Sequence, residues 1–361
     1  MQQKFWEDRP VLITGCSGFV GSWLALRLIR AGARVVALVR DWDPDSNFVR
    51  GGVAERVCVV NGSVTDSALV ARALNEHSID TCFHLAAQAL VGVANRSPLS
   101  TFEANIKGTW NVLEATRLCP TVQRVIVASS DKAYGDYPES RLPYTEEYAL
   151  RGRYPYDVSK SCVDLLAQSY WHTFFAETGR PFLGIARCAN LYGGGDSNRS
   201  RLIPDTILAL LEDRDPVIRG HGKHVREFLY VLDGVEGYLV QAERCHEAEV
   251  AGEAFNFGGD GPMTVQEVVE HLLTLAAAPG RRPVISRSDP TPGEILAQYL
   301  DSSKASRRLN WRAKYPLDAG LLDALEWYRA WQDAGIDPAR SLWGVNLRLL
   351  ERYDEATISQ T

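Results

Sequence analysis

The chain has 361 residues, 45% of them hydrophobic, and a formal net charge of −6. That length allows one large core or two modest ones. The acidic balance argues against a protein that grips nucleic acid through a broad basic surface, and no apolar run approaches the length that spans a bilayer.

The first residues, MQQKFWEDRP, are charged and lack the apolar stretch of a secretory signal, so a cytoplasmic protein is predicted. Seven cysteines (Cys16, Cys58, Cys82, Cys119, Cys162, Cys188 and Cys245) are scattered, odd in number and never spaced as CxxC. They predict reduced core thiols, with no metal site.

Val11 to Thr14 reads as a strand. Phe19 to Ala31 follows with helical periodicity, Gly32 closes that helix, and Arg34 to Val39 is a second strand. Val57 to Val60, Thr81 to Leu85 and Arg124 to Ala128 read as further strands, with helical stretches between them at Ser67 to His77 and Phe102 to Leu118. Tyr154 to Ala176 is a long helical pattern, followed by a strand over Phe182 to Ala186. The alternation predicts βαβ units, hence an α/β fold with a doubly wound parallel sheet buried on both faces. After about residue 190 loops with Pro, Arg and Gly become frequent, and Pro279 to Pro292 reads as a linker or exposed excursion. Leu317 to Gln332 returns to amphipathic helix. The expected organisation is a nucleotide domain over 1–190 and a smaller C-terminal α/β substrate-binding part over 191–345, some of whose segments return to the first sheet.

LITGCSGFVG, Leu12 to Gly21, places Gly15, Gly18 and Gly21 as GxxGxxG between the first strand and helix. The first glycine permits the tight turn, the second lets backbone approach a pyrophosphate, and the third lets helix pack close to strand. The helix N-terminus then offers free N–H groups to the phosphates. This is the dinucleotide-binding junction of a Rossmann fold. Arg40 and Asp41 follow the second strand, where the ribose is read. The carboxylate suits NAD and the arginine suits NADP. NAD is the expected cofactor, with NADP left open by Arg40.

The apolar run Val125 to Ala128 ends in Ser129, Ser130, Asp131 and Lys132, proton-handling groups at the end of a buried strand. Further on, YPYDVSK sets Tyr156 and Lys160 one helical turn apart on the same face. A free tyrosine is a poor base at neutral pH. A nearby ammonium and an oxidised nicotinamide would favour its phenolate. Lys160 is also placed to bond the nicotinamide ribose, and Ser130 to orient a substrate hydroxyl. His84, at a strand end, reads as a packed structural residue. Trp110, Trp171 and Trp311 read as core or interface aromatics.

TGxxGFxG, HLAAQ at His84 to Gln88, the strand-end serine and YxxxK resemble the extended short-chain dehydrogenase/reductase family, the nucleotide-sugar epimerases and dehydratases in particular. GSWLALRL, HLAAQALV, SSDK, GGGD with RLIPD, and LDSSKASRRLNW resemble its CDP-glucose 4,6-dehydratases. The likeness covers nearly the whole chain. It implies a nucleotide-diphosphate sugar as partner and a homodimer pairing through Phe102 to Leu118 and Tyr154 to Ala176. It implies cofactor contacts from Gly15, Ser17, Gly18, Phe19, Val20, Gly21, Arg40, Asp41, Ser63, Val64, Leu85, Ala86, Ala87, Asn105, Tyr156 and Lys160. Gln88, Asn190, Arg201, Leu202 and Arg226 are its implied substrate contacts, Asn190 and Arg226 facing the diphosphate. Two departures stand out: HVREFLYV replaces an arginine–proline–tryptophan stretch, and Ser63 replaces an aspartate beside the adenine.

The catalytic set implied is Ser130, Asp131, Lys132, Tyr156 and Lys160. In a 4,6-dehydratase Tyr156 takes the 4-hydroxyl proton. Lys132 removes the C5 proton or steadies the enolate, and Asp131 protonates the departing 6-hydroxyl. A 4-epimerase needs neither Asp131 nor Lys132. The expected activity is therefore dehydration of an NDP-hexose such as CDP-glucose. A 4-epimerase and a non-catalytic nicotinamide-binding regulator are the alternatives.

Overall fold

A computed structural model describes residues 3–286, 295–336 and 342–358. Seven strands form one wholly parallel sheet: β1 (Pro10–Thr14), β2 (Arg34–Val39), β3 (Cys58–Asn61), β4 (Thr81–His84), β5 (Arg124–Ala128), β6 (Phe182–Cys188) and, after a gap, Ala254–Phe257. In spatial order β3, β2, β1, β4, β5 and β6 are followed by Ala254–Phe257 at the far edge. The order reverses between β1 and β4, and a crevice opens there beyond the carboxyl ends of the strands.

The strands are apolar on both faces because helices cover both. The helix α1 (Phe19–Arg30) packs Trp23, Leu24 and Leu28 into one layer. On the other face, α2 (Ser67–Glu76) and α3 (Gly108–Leu118) bury Val70, Leu74, Val112 and Leu113 with Leu12, Val36 and Val125 of the sheet. Asp66 caps α2 by accepting from the Leu69 N–H, which ends the preceding loop at a defined point. Both long helical patterns contain a π-turn. Glu103–Lys107 precedes α3, and Trp171–Phe175 follows α4 (Pro155–Tyr170).

A smaller sheet lies beyond the crevice. Its centre is Val225–Tyr230, here β8, flanked by β7 (Asn190–Tyr192) in parallel and Pro262–Thr264 antiparallel. Taking Ala254–Phe257 as β9 and Pro262–Thr264 as β10, the strand β11 (Ala297–Gln298) also pairs with β8 in parallel. The helix Leu317–Ile336 packs against this region, and the Tyr328 hydroxyl donates to the Asp196 carbonyl at 2.6 Å.

Cys58 departs from the expectation of core thiols. It is exposed on the edge strand β3, while Cys16, Cys82, Cys119, Cys188 and Cys245 are buried and Cys162 is half-buried. An edge strand has no neighbour to cover its outer residues. Trp110 is exposed and Trp311 buried. The excursion expected over Pro279 to Pro292 lies, from residue 287 on, outside the described residues. No described helix is long and apolar enough to cross a membrane.

Candidate active site

The turn after β1 is shaped by glycine. Gly15 has φ +73°, and a Cβ there would meet the Ala86 nitrogen at 2.8 Å; a Cβ on Gly21 would meet the Gly15 carbonyl at 2.2 Å. Only glycine allows backbone from β1, β4 and α1 to converge this closely. Gly18 caps α1 without a side-chain hydrogen bond, so the first N–H groups remain available to an anion. This bare cradle fits a dinucleotide pyrophosphate. Val20, Leu85 and Ala87 continue it into a cleft of about 610 Å³.

His84 fixes the switch point. Its Nδ1 meets Thr14 Oγ1 at 2.8 Å and its Nε2 meets Thr109 Oγ1 at 2.9 Å, joining β1, β4 and α3. Burial holds its pKa down at about 3, with the Lys160 charge adding to the effect. The ring is neutral at working pH, as a structural histidine requires.

The same cleft is lined by Ser130, Asp131, Lys132, Tyr156, Lys160, Asn190, Arg201, Leu202 and Arg226. Strand β5 delivers the first three, helix α4 the next two, and the C-terminal part the rest. Tyr156 and Lys160 are both buried. Burial pushes the Tyr156 phenol up to about 12, against the pull of the Arg201 guanidinium and a hydrogen bond with Ser130. Burial pulls the Lys160 ammonium down to about 8. The expected lowering of the tyrosine invoked an ammonium together with an oxidised nicotinamide, and the chain's own charges do not supply it alone. Lys160 donates to the Ala128 carbonyl at 2.7 Å, and desolvation outweighs the favourable charges around the phenol. Lowering the phenol then depends on a cationic nicotinamide.

Ser130 donates to Asp131 Oδ1 at 2.8 Å and accepts from the Lys132 N–H at 3.2 Å, which folds residues 131–134 into a 3-10 turn. That turn carries Asp131 into the cleft wall, 3% exposed. Its Oδ2 has no hydrogen-bond partner among the described residues and lies 3.8 Å from Lys132 Nζ. A buried carboxylate oxygen left open in this way is costly unless a ligand group meets it.

The other expected residues, some outside the cleft and some on its wall, are held by local bonds. Gln88 and Asn105 sit behind the cleft wall: Asn105 Oδ1 accepts from the Gln88 N–H at 2.6 Å, and its amide donates to Ser159 Oγ at 2.8 Å. Ser63 bonds Thr65, and the Val64 carbonyl accepts from Asn111. Arg40 and Asp41 are exposed and pair with one another at 2.6 Å. Arg226 donates to the main-chain carbonyls of Val225 and Ile295, and Asn190 to that of Glu227. Arg201 is held by the buried Asp196 at 3.3 Å.

Three residues that the sequence reading passed over join the cluster. Asp157 is raised to about 6 by burial, against the pull of the Lys132 charge. Glu227 is raised to about 7 by burial, and accepts from the Leu300 N–H at 3.0 Å. Gln298 bonds both the Asp131 carbonyl and Lys132 Nζ. Asp157 and Glu227 had a signal, adjacency to Tyr156 and Arg226; Gln298 had none.

The family described as GDP-mannose 4,6 dehydratase matches residues 12–323. The CDP-glucose 4,6-dehydratase of Salmonella typhimurium is 31% identical over 339 residues, covering 92% of this chain and 93% of its own. A dTDP-glucose 4,6-dehydratase of Xanthomonas campestris is 29% identical, covering 88% and 92%. Among solved structures, the dTDP-glucose 4,6-dehydratase of Streptomyces venezuelae with NAD and TYD bound superposes with a TM-score of 0.76 at 28% identity, over 91% of this chain and 99% of the other. The UDP-glucose 4-epimerase of Thermotoga maritima with UDP-glucose gives 0.77 at 26%, over 89% and 98%. Sequence and fold together place the chain in the GDP-mannose 4,6-dehydratase family of NAD-dependent nucleotide-sugar dehydratases and epimerases.

Proposed function

We propose that this protein is an NAD-dependent nucleotide-sugar 4,6-dehydratase acting on an NDP-hexose, with CDP-glucose as substrate. The observation that carries the reading is buried Asp131 and half-buried Lys132 at the end of β5, beside Tyr156 and Lys160 in one cleft, with Asp131 Oδ2 buried and without a hydrogen-bond partner among the described residues. An epimerase has no use for that pair. The similarity to CDP-glucose 4,6-dehydratase supports the choice of sugar nucleotide.

NAD, which the Gly15–Gly21 cradle with Tyr156 and Lys160 would hold, would take hydride from C4 and give it back at C6. Tyr156 takes the 4-hydroxyl proton as its phenolate, and Ser130, turning its hydroxyl from Asp131 Oδ1, donates to the same oxygen. The resulting 4-ketone acidifies the C5 proton. Lys132 removes that proton as a neutral amine, the C6–O bond breaks, and Asp131 supplies the proton with which the oxygen leaves as water. With hydride delivered to C6, return of a proton from Lys132 to C5 restores the amine and yields the 4-keto-6-deoxy sugar, and the proton held by Tyr156 passes through solvent to restore Asp131. Arg201 and Arg226 suit the diphosphate, since a guanidinium donates in pairs to phosphate oxygens.

The reading extends to a cytoplasmic homodimer without a nucleic-acid or membrane partner. Leu99, Trp110, Leu118 and Leu165 are exposed on the helices at 98–118 and 155–170, an apolar face that pairing of two copies would cover.

The test offers purified protein CDP-glucose, TDP-glucose, GDP-mannose and UDP-sugars in separate reactions. A product lighter by one water from CDP-glucose is expected. An isomer of unchanged mass would make the protein an epimerase.

A further inference from the structure

Gln298 belongs to no motif, yet its side chain is completely buried against the strand-end turn. It sits on β11, whose parallel pairing with β8 sets it opposite Arg226. Its amide nitrogen donates at 2.9 Å to the main-chain carbonyl of Asp131, 167 positions away in sequence. Its carbonyl oxygen accepts from Lys132 Nζ. The orientation of the amide is dictated by chemistry. The Asp131 carbonyl can only accept, so the nitrogen must face it, and the oxygen is left for Lys132.

The segment that carries Gln298 is fixed on either side. Leu300 N–H donates to Glu227, Tyr144 N–H donates to the Tyr299 carbonyl at 3.0 Å, and Asp301 N–H donates to the Tyr144 carbonyl at 2.8 Å. Lysine has a long flexible stem and no preferred direction of its own. A second feature concerns charge. Among the described residues, those facing Lys132 include Asp131 on its own turn, at 3.8 Å, Asp157 from α4 and Gln298 from β11. Glu227 on β8 acts one step removed, on Asp131. Asp131 and Asp157 favour the ammonium. A carboxylate at position 298 would favour it further, whereas an amide oxygen fixes the nitrogen without adding charge.

We infer that Gln298 is a positioning residue, a neutral clamp that aims the Lys132 amine into the cleft while leaving it able to take a proton. The inference rests on the dehydratase reading for its catalytic consequence, but the clamp itself can be tested without turnover. Gln298→Leu keeps most of the volume and removes both bonds. Water loss should slow by about 10- to 100-fold, the scale of a misplaced catalytic group, while KM and the initial oxidation at C4, followed by reduced-nicotinamide absorbance, change by less than about threefold. Gln298→Glu keeps an acceptor for Lys132 but adds a charge. It should move the pH dependence of Lys132 acylation by acetic anhydride, read by peptide mass, upward by about one unit.

If both variants melt like the wild type, yet Gln298→Leu loses water at the wild-type rate and Gln298→Glu labels with an unmoved pH profile, the inference is wrong. Should Gln298→Leu fail to fold, the Gln298→Glu labelling profile decides alone. A wild type that releases no water from any NDP-hexose would instead overturn the dehydratase reading, and the labelling profile would still report on the clamp.

Discussion

The cofactor cradle and the acid–base cluster face one another across a single cleft, but they are assembled in opposite ways. The cradle is local: Gly15 to Gly21 lie within one strand–turn–helix junction, and a single neighbouring backbone, at Ala86, completes the close contact. The cluster is composite. Asp131 and Lys132 come from the end of β5, Asp157 and Tyr156 from α4, Glu227 from β8 and Gln298 from β11. The cradle needs only to admit a ligand that all such folds share. The cluster has to set protonation states, and burial by several elements is what sets them.

The largest effect expected comes from Tyr156→Phe, which removes the proton acceptor that both reactions of this fold require. Turnover should fall by about 10²- to 10⁴-fold, with NAD still bound through the cradle and Lys160, as measured after denaturation and chromatography. Asp131→Asn separates the two regions next. Water release should fall by about 10²-fold while C4 oxidation proceeds, so reduced nicotinamide accumulates on mixing with substrate. An equal loss in both phases would mean that Asp131 belongs to the hydride-transfer site rather than to a separate cluster.

Gly15→Ala probes the cradle alone. The left-handed backbone costs a Cβ-bearing residue about 1–2 kcal/mol, and the clash with Ala86 adds to it, so the melting temperature and NAD content should both drop. The smallest effect is a pH dependence. Folding raises the Asp157 carboxyl to about 6, mainly by burial. Its contribution to stability is therefore present below its unfolded value near 4 and lost as pH rises through 6. Asp157→Asn, which cannot ionise, should gain melting temperature over the wild type at pH 8 relative to pH 5. A gain that is equal at both would show that Asp157 titrates as a free carboxyl.

The same contrast explains what was legible in the sequence. Strand β2 runs Arg34–Val39 as its apolar pattern predicts, and β5 runs Arg124–Ala128. The glycine spacing and the Tyr156–Lys160 step are short-range, so they survive in a linear reading. Gln298 did not, because its role arises from the parallel register of β11 on β8 and a contact across 167 positions. The burial of the Tyr156 phenol was hidden for a related reason. Its charge neighbours can be guessed from spacing, but the desolvation that outweighs them depends on how completely the cleft wall closes. Cys58 shows the limit of apolar runs as a guide to burial, since an edge strand looks like a central one until the sheet order is known.

The most direct test of the central claim, that Asp131 and Lys132 make this site a dehydratase, is the mass of the product formed from CDP-glucose in deuterium oxide. Proton removal at C5 and its return from a solvent-exchanged Lys132 predict a product lighter by one water and carrying one non-exchangeable deuterium. A product of unchanged mass without deuterium would contradict the account, because hydride transfer alone would then describe all that this cleft does.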